Sequence, residues 1–245
     1  YEIHWRDWSS DVCSSDLNDF TRPRPNGLIA SSAGQAAGVA REDATLAGML
    51  ELIERDAYRR WQEMDNASRT GTLLAHSQLA DSRAGDLIAD LVSRGFSISF
   101  HALPAAVDIP VVACTLRDLN GGPDAPRVSI GSAARLDPCS ALDSALLEAA
   151  QIRGTWIAGS RDDLSDPRAA DAASAAGVAM PLPPGMNTSS WLPEPSICGD
   201  PLEWLVMQLV DAGFRRIAAV RLDTPELGLP VMKLFVPGLL PMLEE

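Results

Sequence analysis

The chain has almost no lysine: Lys233 stands alone among 20 basic residues, against 33 acids and a formal net charge of -13. A chain this acidic repels phosphate backbones unless a local basic groove intervenes, so nucleic acid is not an expected partner. Scarce lysine beside abundant Ala and Arg reads as the coding bias of a GC-rich genome. No apolar run approaches the roughly 18 residues a membrane span needs, and no membrane association is expected. The four cysteines, Cys13, Cys114, Cys139 and Cys198, lie far apart, with no C-x-x-C and no adjacent histidine pattern. Zinc ligation needs closely spaced ligands, so a structural zinc site is not expected. No secretory layout of basic, apolar and small-residue regions is visible, which points to reduced thiols in a cytoplasmic protein. There is no Ser-His or Cys-His constellation; His76 and His101 read as a surface and a strand histidine.

What is present suits an ordinary globular chain: 245 residues, 46% apolar and 22% charged. That length can bury a real core as one large domain or two small ones. Residues 1–19 follow no helical or strand period, and Arg6 to Leu17 resembles translated sequencing-adapter sequence, so this stretch is expected to be non-native. A Pro-, Gly- and Ala-rich entry follows over 21–40. Helices are expected at about Glu42 to Trp61, Ala84 to Ser93, Asp137-Pro138 to Ala158, and Pro201 to Ala212. Strands are expected at Phe96–His101, Pro110–Leu116, Arg127–Ser132, Arg216–Leu222 and Pro230–Val236. Residues 160–200 read as a long surface excursion. Two stretches echo each other: Leu91-Val92-x-x-Gly95-Phe96 and Leu209-Val210-x-x-Gly213-Phe214, each followed by a strand, a turn and Pro110 or Pro230. Repeated helix–strand–strand units argue for an α+β fold of mixed sheets with packed helices, not a doubly wound parallel sheet.

A second echo concerns acids. Glu51 and Glu54 stand three apart in one helix, as do Glu148 and Gln151 in another. Residues at i and i+3 share a helix face, so each pair points at one spot. The neighbours are apolar: Leu46, Met49, Leu50, Leu52 and Ile53 in the first, Leu142, Leu146, Leu147 and Ile152 in the second. Helices apolar nearly all round are buried, and a buried carboxylate needs a cation. Arg55 and Arg153 lie on other faces or one turn away, while small residues upstream (Ala47, Gly48, Ser144, Ala145) leave room for a ligand. An all-oxygen set suits Mg²⁺ with its phosphate partners better than a di-iron centre, which would want His. The alternative is two exposed Glu faces with ordinary Arg salt bridges.

Here a family likeness enters. Ser32 to Gly38, Arg41 to Ala44, Glu51 to Ala57, Leu136-Asp137-Pro138, Glu148-x-x-Gln151-x-Arg153, Gly159 to Asp163, Pro225-Glu226 to Pro230 and Val236 to Leu239 together resemble the YcaO family. The resemblance implies a YcaO-like ATP-binding fold, with residues 20–245 as one domain cut at both ends. It implies ATP- and Mg²⁺-dependent activation of a peptide backbone amide, by cyclodehydration to an azoline or by thioamidation, in the making of modified peptides such as bacteriocins. It places Mg²⁺ on Glu51, Glu54, Glu148 and Gln151, and the nucleotide also near Ser32, Arg153 and Arg161. Lys233 sits where relatives often carry a basic residue. The implied partners are a peptide or protein substrate, a TfuA-like or E1-like leader-binding protein, and a second copy of the chain in a homodimer. A position where some relatives place a nucleotide-binding Ser holds Ala47 here. The rival reading is a non-catalytic scaffold assisting modification of a ribosomal protein.

Overall fold

The computed structural model describes residues 4–7, 32–74, 84–120, 127–158, 192–223, 226 and 228–239. They form two compact units, Tyr1–Arg55 with Ile197–Glu245, and Asp56–Ser196. The described elements are β1 (His4–Asp7), β2 (Gln35–Ala37), α1 (Arg41–Glu63), α2 (Asn66–Gly71), α3 (Ala84–Ser93), β3 (Phe96–Ala102), β4 (Val111–Asp118), β5 (Val128–Ala134), α4 (Pro138–Ala158), α5 (Pro201–Asp211), β6 (Ala218–Arg221) and β7 (Val231–Phe235).

The second unit holds an antiparallel sheet in the order β3-β4-β5. Residues directly opposite in an antiparallel pair share a face. Ile98, Leu116 and Ser129 therefore fall in one row, Phe100, Cys114 and Gly131 in the next, and Ala102, Val112 and Ala133 in a third. On this face Phe100, Val112, Cys114, Leu116 and Ala133 form a core with Ala141, Leu142, Ala145, Leu146 and Ala149 of α4. The helix starts where the sequence says it should. Asp137 accepts from Ser140 N–H at 2.8 Å, and Pro138 occupies a first-turn position that needs no donor.

The first unit holds a four-stranded mixed sheet in the order β1-β6-β7-β2, with β1 parallel to β6 and the other pairs antiparallel. Its helix α5 is capped by Asp200, which accepts from Glu203 N–H at 2.9 Å. Leu202, Leu205, Val206 and Leu209 are buried, the i, i+3, i+4, i+7 stripe of a helix with one apolar face.

The helix–strand–strand echo is real in three dimensions. α3 ends near Gly95 (φ +87°) and leads into the antiparallel pair β3–β4; α5 ends near Gly213 (φ +99°) and leads into the antiparallel pair β6–β7. Both glycines take the left-handed conformation that lets a chain leave a helix. In each unit the second strand starts one residue after its proline, whose carbonyl still accepts a bond: Arg135 N–H to Pro110 O, and Gly38 N–H to Pro230 O. Three elements differ from expectation. Residues 4–7 form a strand although no period shows over so few residues, and Gln35–Ala37 form a strand inside the Gly/Ala-rich entry. Asn66–Gly71 is a short helix capped by Asp65, too polar to show an apolar stripe. The expected excursion falls largely on residues 159–191, outside the described residues, as does His76.

His101 is a strand residue, as expected, and fully buried. The Thr72 hydroxyl donates to Arg69 O at 2.7 Å and accepts from Trp61 Nε1 at 3.0 Å. With its one hydrogen committed, Thr72 Oγ1 can only accept from His101 Nδ1, 3.0 Å away. Nδ1 therefore carries the ring proton, and Nε2 is buried without a partner. Burial, with the charge of Arg69 adding to it, pushes the imidazole pKa down to about 4. Between pH 6.5 and 4 the unfolded chain binds this proton and the folded chain does not, so stability is full above pH 6.5 and falls on acidification. The component is worth about 3 kcal/mol at most. Denaturant unfolding at pH 7 and pH 4.5 should show a larger loss in the wild type than in His101→Gln; equal losses would contradict this assignment.

Candidate functional site

The first acid pair rides on α1. The helix opens with Ala40 N–H donating to Asp43 Oδ2 at 3.0 Å, and with Glu42 and Asp43 set against the positive end of its dipole. Glu54 is buried, 8% exposed, and Glu51 is half-buried. One turn earlier, Gly48 lies against backbone: a Cβ there would sit 2.8 Å from both Gly34 O and Leu234 Cδ2. The space expected for a ligand at Gly48 is thus taken by the chain itself. Gly34, at φ +78°, receives Leu234 N–H on its carbonyl at 2.9 Å, which ties this approach to β7.

Two cations serve Glu51. Arg55 Nη2 lies 3.9 Å from Glu51 Oε1, one turn along the helix, because i,i+4 spacing brings it back over the same face. Lys233, opposite Gln35 in the β7–β2 register, donates from Nζ to Ala33 O at 2.8 Å. Burial lowers the Lys233 pKa, and the charge of Glu51 works against that shift. Ser32 is exposed, and its carbonyl accepts from Gln35 N–H at 2.9 Å in the turn that leads to β2.

The second pair rides on α4. A Cβ on Gly131 of β5 would stand 2.3 Å from Ala145 O and 2.3 Å from Ala149 N, so α4 lies directly on this edge strand. At that depth Glu148 Oε2 accepts from the Ser132 backbone N–H at 2.8 Å. β5 is an edge strand among the described residues, and Ser132 N–H makes this bond on the side away from β4. Gln151 is exposed, as is Leu147 at 59%. The expectation that this helix is buried nearly all round is therefore corrected: it buries one face and leaves Gln151 in solvent. Arg153 answers Asp118 at the end of β4, in a close ion pair, and stacks 5.3 Å over the Phe96 ring. Its charge is thus engaged within the fold. Arg161 lies outside the described residues.

The structure therefore brings Glu51 together with Glu54, and Glu148 with Ser132 and, three residues on, Gln151. Among the described residues no three His, Cys, Asp or Glu side chains form a group that could hold a metal. The donor chemistry fits Mg²⁺ all the same. Every candidate donor is oxygen, and Mg²⁺ is typically held by one or two carboxylates, with water and phosphate completing its shell. Burial pushes the Cys114 thiol upward, away from reactive thiolate, and Cys139 and Cys198 are exposed. A surface cleft of about 380 Å³ runs along Ala102 to Ile109 and Pro193, with Asp108 its one charged residue and none of the candidate residues in its wall. No described helix is long and apolar enough to cross a membrane.

The family model described as YcaO cyclodehydratase, ATP- and Mg²⁺-binding, matches residues 15–240. The chain belongs to the YcaO family. A protein of Rhizobium leguminosarum bv. trifolii, known by its position in the tfuA 3' region, is 28% identical, over 90% of this chain and 55% of its own length. Among solved structures, a heterocyclase in complex with substrate and cofactor matches with a TM-score of 0.68 at 21% identity, covering 90% of this chain and 30% of its own. YcaO from Methanopyrus kandleri, bound with AMPPCP and Mg²⁺, matches with a TM-score of 0.63 at 22% identity, covering 87% of this chain and 56% of its own. The YcaO chain thus spans about half the length of the curated relative and has the fold of the solved YcaO structures.

Sequence reasoning passed over Gly131 and Ser132. The available signal was a lone glycine inside an otherwise regular strand, which marks close backbone approach. Two outcomes follow. Gly48→Ala should destabilise the YcaO chain by about 1–3 kcal/mol in denaturant unfolding, since its neighbour is backbone and cannot step aside; unchanged stability would contradict the contact. Arg153→Ala leaves Asp118, largely buried, without its cation and should cost about 3 kcal/mol with no nucleotide present. A variant as stable as wild type would return Arg153 to the role of a free ligand-binding cation.

Proposed function

We propose that this chain carries the nucleotide-binding part of an ATP- and Mg²⁺-dependent enzyme that activates a backbone amide of a peptide. What supports the reading is the family match over residues 15–240, with Glu51 and Glu54 on α1 and Glu148 and Gln151 on α4. In this reading Glu51, Glu54, Glu148 and Gln151 hold Mg²⁺, and Ser32 stands near the nucleotide. Bound ATP with Mg²⁺ supplies a phosphoryl group to the amide oxygen, which turns a poor leaving group into a good one. The chain's own contribution is positioning and charge. Glu51 is half-buried and Glu54 buried, so their charge is poorly screened by water and favours a cation. Glu148 is fixed by Ser132 N–H instead of ranging freely. Arg55 and Lys233 keep the Glu51 carboxylate compensated before any metal arrives. No side-chain nucleophile is required in this reading.

The tfuA-region relative supports a TfuA-like partner and a thioamide product; the heterocyclase fold supports ring closure on a neighbouring side chain to give an azoline. The two product classes are the alternatives for this chain, with a peptide as substrate. Mass spectrometry of the modified peptide separates the two: exchange of oxygen for sulfur against loss of water. Glu51→Gln and Glu148→Gln should each lower phosphate release from ATP by at least 100-fold while leaving the fold intact by circular dichroism. Turnover retained in either would sink the metal assignment, whereas a wild type that binds no nucleotide with Mg²⁺ would favour the scaffold reading.

A further inference from the structure

The two units share one plan and differ in what covers one side of the sheet. In the second unit α3, β3 and β4 are joined by the edge strand β5, which leads into α4; in the first, α5, β6 and β7 are joined by β2, which leads into α1. The match holds residue by residue. Gly131 pairs with Cys114, and Gly34 accepts from Leu234 N–H; each glycine stands equally far ahead of its acid, Glu148 or Glu51. Pro110 and Pro230 stand equally far ahead of Cys114 and Leu234. The row His101–Ala113–Ser132 therefore corresponds to the row Val220–Lys233–Gln35. Each sheet lays one face against its acid-bearing helix, at Gly131 on α4 and at Leu234 on α1. The opposite faces diverge. In the second unit His101, Ala113, Val111 and Ala134 are buried, and the end of α1 supplies cover, with the Trp61 ring 5.0 Å from the His101 ring. In the first unit the corresponding face stays open: Phe235, Gln35 and Ala37 are exposed, and Val220 and Val231 are half-buried.

An antiparallel sheet that keeps one face in water alternates apolar with polar residues along each strand. These strands do not: Val220, Val231, Phe235 and Ala37 all lie on the open face. The one charged side chain that β6, β7 and β2 place there is Lys233, the only lysine of the chain, with Nζ 5.6 Å over the Phe235 ring. A contiguous apolar face marks a docking surface, and the corresponding face of the second unit shows the kind of element that closes it, a helix. We propose that this face docks a helix of a partner polypeptide, whose apolar stripe carries one Asp or Glu to meet Lys233. A second copy of this chain does not suit the face. Two such faces packed about a two-fold axis would bring Lys233 toward Lys233, between chains that each carry a net charge of -13. The inference goes beyond the amide-activation reading and does not depend on where a metal binds.

Photo-crosslinking in cells that produce the protein tests this. The probe is benzoylphenylalanine placed at Val231, with the same group at Met207, exposed on α5, as control. Position 231 should link one partner polypeptide about tenfold more than position 207 does. Mass spectrometry of the linked peptide should place the link on the apolar side of an amphipathic helical segment, with an Asp or Glu within one turn. Lys233→Glu sets like charges face to face and should lower the link about tenfold. Changing the partner's acid to Lys should then restore it. If Lys233→Glu does not fold, Gln35→Glu decides: it adds an acid at an exposed position directly opposite Lys233, competes for the lysine and should lower the link likewise. The proposal is overturned by no link above that at position 207, by a link to a second copy, by a link to a segment without an acid, or by a link that neither substitution changes. Mg²⁺–nucleotide binding by the wild type is measured alongside; its absence strikes the amide-activation reading and leaves the docking face standing.

Discussion

Helix α4 can lie on strand β5 only because residue 131 has no side chain. At 2.3 Å from two backbone atoms of the helix, even a methyl group is excluded, and the strand and helix would have to part. The rest of the second unit depends on that closeness. It lets Ala141, Ala145 and Ala149 serve as core residues although each is small, because the backbone itself fills the volume a larger side chain would otherwise occupy. It also brings a helix-borne carboxylate within bonding range of a strand N–H. The first unit uses the same device at Gly48, where α1 settles on Gly34 and Leu234 one turn ahead of Glu51. In both units a glycine contact sets the height of a helix, and that height sets where an acid stands.

The charge of -13 is distributed accordingly. Several acids are met by arginines one turn along the same helix: Asp56 by Arg60, Glu63 by Arg59, Asp90 by Arg94. Such pairs are surface pairs for the most part and contribute a few tenths of a kcal/mol each. Glu148 is different in kind. It is met by a backbone donor that neutralises nothing, so its charge remains available to a cation.

Much of the fold was legible because the chain is well punctuated. Pro138 and Pro201 open helices within a residue of where they were expected, and Gly95 and Gly213 close the approaches to their strand pairs. The acid pairs were legible for a related reason: i,i+3 spacing is a local property, and their apolar neighbours are in the same helix. What escaped is non-local. Asp118 lies 35 residues from Arg153, and only the sheet brings it there. Three residues of β2 and four of β1 become strands through pairing with β7 and β6, not through any pattern of their own. Gly131 looks like any strand glycine until the helix above it is known, and Gln151 looks as buried as its neighbours until the helix shows which face it presents.

The central claim is the proposal that Glu51 and Glu54 on α1, and Glu148 and Gln151 on α4, are ligands of Mg²⁺. Paramagnetic relaxation tests it most directly. Mn²⁺ added with a non-hydrolysable ATP analogue to isotope-labelled protein should broaden the amide signals around Glu51–Glu54 and those around Glu148–Gln151 at the same metal concentration. Broadening confined to one set, or spread evenly over the acidic surface, would contradict it.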